Sequence, residues 1–366
     1  MKKSIIAVAG AAAVALTLAA CGTPTDEPTS GESGSASEGT SETSEPAENA
    51  DFKACMVSDQ GGYDDQSFNQ SGKEGMDMAA DELGIETTEI ESTSDADYGP
   101  NIDSLITDGC SYIIGVGFLL EPAISSAAEA NPDIMFGLID AAPAEEMDNV
   151  KPLLFNTAEA AFLAGYVAAG TSESGTVGTF GGLPIPSVQI FMDGFADGVE
   201  KYNEDMGASV RLLGWDKEAQ TGSFTGDFEN QANGTTTAQG FLDQGADVVM
   251  PVAGPVGLGA ATAVQGGGGT LVWVDSDGFN STDFGDIIVT SVMKEIGQAV
   301  FDSVSEAAAG DFSAEPYVGT LENGGVGIAP YHDFDATVPQ ELKDMVEDYT
   351  AQIVAGDLVI ESVNAP

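Results

Sequence analysis

Tyr112-Ile113-Ile114-Gly115-Val116-Gly117-Phe118, then Pro122 to Ala130, then Ile134-Met135-Phe136-Gly137-Leu138-Ile139-Asp140, is the stretch on which the fold turns. Two short apolar runs flank a stretch with helical patterning. Strands that lack polar alternation are those covered on both faces, so the unit reads as strand, helix and parallel strand. Upstream, Phe52 to Ser58 repeats the apolar run and Asn69 to Leu83 the helical pattern. Downstream come a helix from Ala158 to Ala169, a strand from Thr176 to Phe180, a helix from Ser187 to Tyr202 and a strand from Val210 to Trp215. A helix around Thr235 to Gln244, a strand from Asp247 to Pro251, a helix from Gly257 to Gln265 and a strand from Leu271 to Val274 continue the series. This α/β alternation predicts parallel sheets flanked by helices. The roughly 316 residues from Asp51 onward exceed what one hydrophobic core serves, so two lobes with a cleft between them are expected.

In an open parallel sheet, ligands bind outside the carboxyl ends of the strands. Those ends read Ser58-Asp59, Ile139-Asp140 and Val274-Asp275, with Asp277 close by. One such aspartate is equally a helix cap or a turn residue. Three at separate strand ends form a set of acceptors for a ligand rich in N–H and O–H groups.

The chain carries 60 acidic residues against 10 basic ones, a formal charge of -50, and a single histidine. Such a surface repels nucleic acid and anionic headgroups, and serves solubility or tolerance of salty surroundings. The acids are spread without Asp-x-Asp-x-Asp-Gly spacing, and both Cys-x-x-Cys and the Gly-x-x-x-x-Gly-Lys phosphate loop are absent; neither metal nor cofactor is expected. Gly266 to Gly269 reads as a flexible turn. Catalysis, for instance nucleoside or glycoside hydrolysis by two of the strand-end carboxylates, finds no support: His332 beside Tyr331 reads as a surface or hinge residue, and no Gly-x-Ser-x-Gly elbow occurs.

At the N-terminus, Lys2 and Lys3 precede an apolar run from Ile5 to Ala20, too short for the roughly 20 residues of a spanning helix and typical of an export signal. Leu18-Ala19-Ala20-Cys21 resembles a bacterial lipobox, which implies cleavage after residue 20 and acylation of the Cys21 thiol. Gly22 to Asn49 holds almost only Gly, Ser, Thr, Pro, Glu, Ala and Asp, so residues 21–50 read as a flexible tether on a lipid anchor. Cys55 and Cys110 are the remaining cysteines. In an exported protein the pair is either a disulfide, if the adjoining strands are neighbours, or two buried thiols.

Ser58-Asp59-Gln60-Gly61-Gly62-Tyr63-Asp64-Asp65-Gln66-Ser67-Phe68-Asn69-Gln70 resembles the N-terminal signature of the basic membrane protein family, purine nucleoside receptors among them. Further matches are Phe136 to Asp140, Ala158 to Gly165, Gln244 to Val248, Val252-Ala253-Gly254, Val274 to Asp277 and Thr290-Ser291-Val292-Met293-Lys294. These are substrate-binding lipoproteins of ABC importers. The resemblance implies a two-lobed, type I periplasmic-binding-protein-like fold, monomeric and tethered to the extracytoplasmic face of the cell membrane by lipid alone. It also implies a nucleoside ligand, a permease and a separate ATPase subunit. It assigns Phe68 and Phe224 to stacking on the base, with Phe228 a rival because the chain carries extra residues before Gly234. Asp59 and Asp140 would accept from the base, Asn69 would donate to the base edge or cap the helix that starts there, and Asp275 and Lys294 would meet the sugar, with Gly254 and Asp277 beside them. Buried, Lys294 needs a carboxylate or the ligand as partner. Gly72-Lys73 and Ala253-Gly254-Pro255-Val256 depart from the family pattern and bear on the ligand rather than the fold. The expected lobes are 51–157 with about 291–325, and 158–290 with about 326–366. A sensory lipoprotein, or a receptor for a sugar or another small polar ligand, is the alternative.

Overall fold

The computed structural model describes residues 52–366, which belong to one compact unit. The expected signal, tether and lipidation site at Cys21 lie outside the described residues. The first sheet opens with β1 (Lys53–Ser58), followed by α1 (Phe68–Leu83), β2 (Glu86–Ile90), α2 (Asp95–Thr107), β3 (Tyr112–Val116), α3 (Glu121–Ala130), β4 (Met135–Ile139) and β5 (Val150–Phe155). All of β3 is buried, as its unbroken apolar sequence requires. β2, with the sequence Glu-Thr-Thr-Glu-Ile, lies at the sheet edge and escapes an apolar-run reading for that reason.

After α4 (Thr157–Thr171) the second sheet repeats the pattern with β6 (Thr176–Gly181), α5 (Pro186–Met206) and β7 (Arg211–Leu213). The run expected as one strand from Val210 to Trp215 is divided by Gly214, whose φ of +86° turns the chain. Only β7 joins the sheet; β8 (Trp215–Asp216) pairs with β9 (Thr221–Gly222) as a separate antiparallel ribbon. Then come α6 (Gln231–Leu242), β10 (Val248–Val252), α7 (Pro255–Gly267), β11 (Thr270–Asp275), α8 (Gly278–Ser281) and β12 (Ile288–Lys294). The chain returns to the first lobe for α9 (Ile296–Ala308) and β13 (Tyr317–Gly319), and ends in the second with β14 (Val326–Ile328) and α10 (Gln340–Val354).

The sheet orders are β2-β1-β3-β4-β5-β13 and β7-β6-β10-β11-β12-β14, the same winding twice, parallel except for the last pair, β12 and β14. β12 belongs to the second sheet throughout, so the first lobe resumes after Lys294 rather than at about 291. The carboxyl ends of both sheets face the same cleft. In the second sheet that end is opened by Pro251: it has no N–H to give, and the pairing of β10 with β11 stops at Val249. Nearly all of α4 is buried between α5, β12, β14 and α10, which makes it the apolar spine of the second lobe. Cys55 on β1 and Cys110, just before the neighbouring β3, form a disulfide with Cα atoms 6.0 Å apart, so the two cysteines are not free thiols. No helix among the described residues is long and apolar enough to cross a membrane.

Candidate functional site

Between the lobes lies a cavity enclosed by side chains of both. From the first lobe it is lined mainly by Asp59, Asp65, Phe68, Asn69 and Asp140, and from the second by Val188, Phe191, Phe228, Gly254, Asp275 and Lys294.

Asp59 leaves the end of β1 and is 7% exposed. Its Oδ1 accepts from Asn69 Nδ2 at 3.0 Å. Its Oδ2 occupies the place where a side chain at residue 117 would begin, 2.5 Å from a Cβ built there, so only glycine fits at Gly117. Burial pushes the Asp59 carboxyl up to about 8; the Asn69 hydrogen bond opposes this, and Asp65, Asp140 and Asp275 add to it.

Asn69 lies in the first turn of α1, but Asp65 is what caps that helix. Its Oδ1 accepts from the backbone N–H of Ser67 and Gln70, each at 3.0 Å, and its Oδ2 from that of Asn69 at 2.8 Å. Burial raises Asp65 to about 6 against the pull of these three donors. The Asn69 side chain is thereby left for the cleft, and its Oδ1 is buried without a partner.

Lys294, at the end of β12, is buried and forms ion pairs with Asp140 and, at 3.5 Å, with Asp275. Asp140 follows β4 and Asp275 ends the equivalent strand β11, and both have left-handed backbones, with φ of +63° and +69°. That conformation is uncommon for a residue with a side chain and marks positions the surroundings hold in place. Burial works against the Lys294 charge, but the two carboxylates outweigh it and hold the ammonium above its ordinary value. Burial likewise pushes Asp140 up, and the ammonium in contact with it pulls back. The rings of Phe191, Phe68 and Phe155 surround the ammonium with centroids at 4.9, 5.0 and 5.8 Å.

The lobes also touch directly. The Gln66 carbonyl accepts from Trp273 Nε1 at 3.3 Å and from the hydroxyls of Ser276 and Ser281, each at 3.1 Å. Ser67 Oγ donates to Asp275 Oδ2 at 2.9 Å or the Val274 carbonyl at 3.1 Å.

This cleft sits in a chain whose residues 52–358 match the family described as ABC transporter substrate-binding protein, PnrA-like. The chain belongs to that family. It is 29% identical to the ABC transporter nucleoside-binding protein BmpA of Lactococcus lactis, over 85% of this chain and 90% of that protein. A CD4+ T-cell-stimulating antigen of Listeria innocua is 28% identical over 98% of this chain and 99% of its own length. Among solved structures, an ABC transporter solute-binding protein from Aeropyrum pernix superposes with a TM-score of 0.76 at 25% identity, covering 85% of this chain and 94% of that one. The two-lobed, periplasmic-binding-protein-like fold is that of its structural neighbours, and members of the PnrA-like family are substrate-binding proteins.

Seven of the residues expected at the site, Asp59, Phe68, Asn69, Asp140, Gly254, Asp275 and Lys294, line the cavity. Gly254 has φ +51° and ψ -133° at the start of α7, a backbone that suits glycine. Two do not line it. Phe224 packs edge-on against Trp215, with centroids 6.0 Å apart, and Phe228 reaches the cavity instead. Asp277 caps α8 through the Phe279 N–H and binds His332 Nε2 at 2.8 Å, so its acceptors are used outside the cleft. His332, which stacks on Phe279 with centroids 4.1 Å apart, likewise does not line the cavity. Asp65, Gly117, Val188 and Phe191 escaped the reading of the sequence. Asp65 stands inside the quoted signature, whereas Phe191 on α5 carries no signal that separates a cleft residue from a core one.

Proposed function

We propose that this protein is the lipid-anchored, extracytoplasmic receptor of an ABC importer and binds a nucleoside, purine nucleosides foremost, between its lobes. The observation that carries the reading is that each lobe brings an aromatic ring, Phe68 from the first and Phe228 from the second, to one cavity that Asp59, Asn69, Asp140, Asp275 and Lys294 also line. A flat base offers two π faces to such rings, and a ribose offers hydroxyls to carboxylates and an ammonium. In this reading Asp59 and Asn69 serve the base, Asp275 and Lys294 the sugar, and Asp140 holds Lys294 between them. The name of the Lactococcus relative supports the ligand class, and the Pyrococcus abyssi relative, an uncharacterised lipoprotein 30% identical over 82% of this chain, supports the anchor at Cys21. The lobes close on the ligand by hinge motion at the three chain crossings, and the closed receptor delivers it, as a monomer, to a permease powered by a separate ATPase.

Calorimetric titration of the protein lacking residues 1–21 with purine and pyrimidine nucleosides, free bases and pentoses tests the ligand. Saturable heat with a nucleoside, lost in Phe68→Ala, is the expected result. Binding of a pentose alone, or of nothing in the panel, would remove the nucleoside reading and leave a substrate-binding protein for another polar solute. Release of the full-length protein from membranes by Cys21→Ser tests the anchor.

A further inference from the structure

Asp59 and Asn69 stand side by side at the first lobe's edge of the cleft, and their hydrogen-bonding roles follow from their partners. Asn69 Nδ2 lies 3.0 Å from Asp59 Oδ1 and 3.4 Å from the Gln60 carbonyl. Two acceptors on one side fix that atom as the amide nitrogen. The oxygen therefore faces the other way, buried and unpartnered, and requires a donor.

Asp59 has one side-chain partner, that amide, and is 7% exposed. The groups around it are carboxylates and phenols: Asp65 ahead of α1, Asp140 after β4, Asp275 at the end of β11, Tyr63 in the loop after β1 and Tyr98 on α2. The one cation in the cleft, Lys294, is engaged by Asp140 and Asp275. A buried carboxylate with no cation of its own and three others nearby is the member of the set that gives up its charge.

Resting on the nucleoside reading above, we propose that Asp59 binds the ligand as the neutral acid, so that Asp59 and Asn69 together present one donor beside one acceptor and select a base edge with the complementary acceptor and donor. The Asp59 hydroxyl donates to a ring nitrogen or a carbonyl, and Asn69 Oδ1 accepts from the adjacent amino or ring N–H. The N1 and 6-amino edge of a 6-aminopurine satisfies the pair; a 6-oxopurine offers its donor and acceptor in the reverse order, at N1–H and O6, and meets the pair only with the base turned over. A base with an acceptor alone leaves Asn69 Oδ1 unpaired. The carboxyl position, pushed up to about 8 by burial first and by the neighbouring carboxylates next, agrees with a neutral Asp59 at neutral pH.

The sign of the linkage is fixed: an acid that must be protonated in the complex makes binding weaker as pH rises. Calorimetry of the protein lacking residues 1–21 with adenosine, which does not itself titrate near neutrality, is expected to show affinity falling about tenfold between pH 7 and pH 9. Proton uptake, read from buffers of different ionisation enthalpy, accompanies binding at pH 9. Asp59→Asn keeps a donor at every pH; its affinity for adenosine is expected not to fall over this range and to exceed the parent's about tenfold at pH 9. Purine riboside, lacking the 6-substituent, is expected to bind at least about tenfold more weakly than adenosine. Adenosine binding that is flat with pH in the parent and lost in an Asp59→Asn variant of unchanged melting temperature would overturn the neutral acid while leaving the nucleoside receptor intact. No nucleoside binding at any pH would overturn both.

Discussion

The two walls of the cleft are built on the same winding and differ in chemistry. The first lobe contributes Asp59, Asp65, Asn69 and Asp140 beside the rings of Phe68 and Phe118, so its wall sets carboxylates and an amide among aromatics, while the second contributes Val188, Phe191, Phe228, Val252 and Ala253, so its wall is apolar up to Asp275 and Lys294. The equivalent aspartates Asp140 and Asp275 are where the two designs meet, and Lys294 joins them. Duplicated topology therefore fixes where a side chain emerges, and the residue placed there decides whether the wall reads hydrogen bonds or fits a flat surface. The lobes differ in their stapling as well: the first carries the Cys55–Cys110 disulfide, and no counterpart occurs among the described residues of the second.

Substituting the group that joins the walls has the largest expected effect. Lys294→Met leaves Asp140 and Asp275 buried without a counter-charge, and is expected to cost about 3–5 kcal/mol of stability and to abolish ligand binding, measured by denaturant unfolding and calorimetry. Next is the stapling. Cys55→Ser with Cys110→Ser opens a loop of 55 residues' separation and is expected to cost about 4 kcal/mol, read in denaturant melts of the ligand-free protein. A contribution below about 1 kcal/mol would remove that difference between the lobes.

The apolar wall is probed by a pair of neighbouring rings. Phe228→Ala is expected to weaken binding by about 1–3 kcal/mol, whereas Phe224→Ala acts on stability through its packing on Trp215. The reverse result would return the stacking role to Phe224. The acidic wall is probed by pH. Asp59 and Asp65 have raised positions, about 8 and about 6, so the folded state holds their protons more tightly than the unfolded chain does. Their contribution to stability therefore declines as pH rises from the ordinary carboxylate range through 6 to 8. Asp59→Asn is expected to raise the ligand-free melting temperature by about 2 °C or more at pH 8 and to have little effect at pH 4. The smallest expected change comes from Asp277→Asn, which loosens the cap of α8 and the contact with His332; it should cost about 1 kcal/mol and leave the affinity for ligand within about twofold.

Much of this was legible in the sequence. The strands β1, β3, β4, β6, β10 and β11 are short apolar runs because both of their faces are covered, and against such runs the aspartates that close β1, β4 and β11 stand out. β13 and β14, three residues each at the sheet margins, are too short to carry a pattern. α2 holds Pro100 within its span, which obscures its periodicity. At the site, charge and glycine were readable because each has few uses at a strand end. Phe191 was not: a helical periodicity reports that a face is buried and says nothing about whether protein or ligand covers it. The choice between Phe224 and Phe228 depended on the course of a loop, which no local pattern encodes.

The Gln66 carbonyl, with its left-handed backbone and three donors from the opposite lobe, carries a consequence for timing. None of those donors belongs to a solute. Closure therefore draws on contacts between the lobes as well as on the solute, and weakening any of the three lengthens the time the cleft stands open.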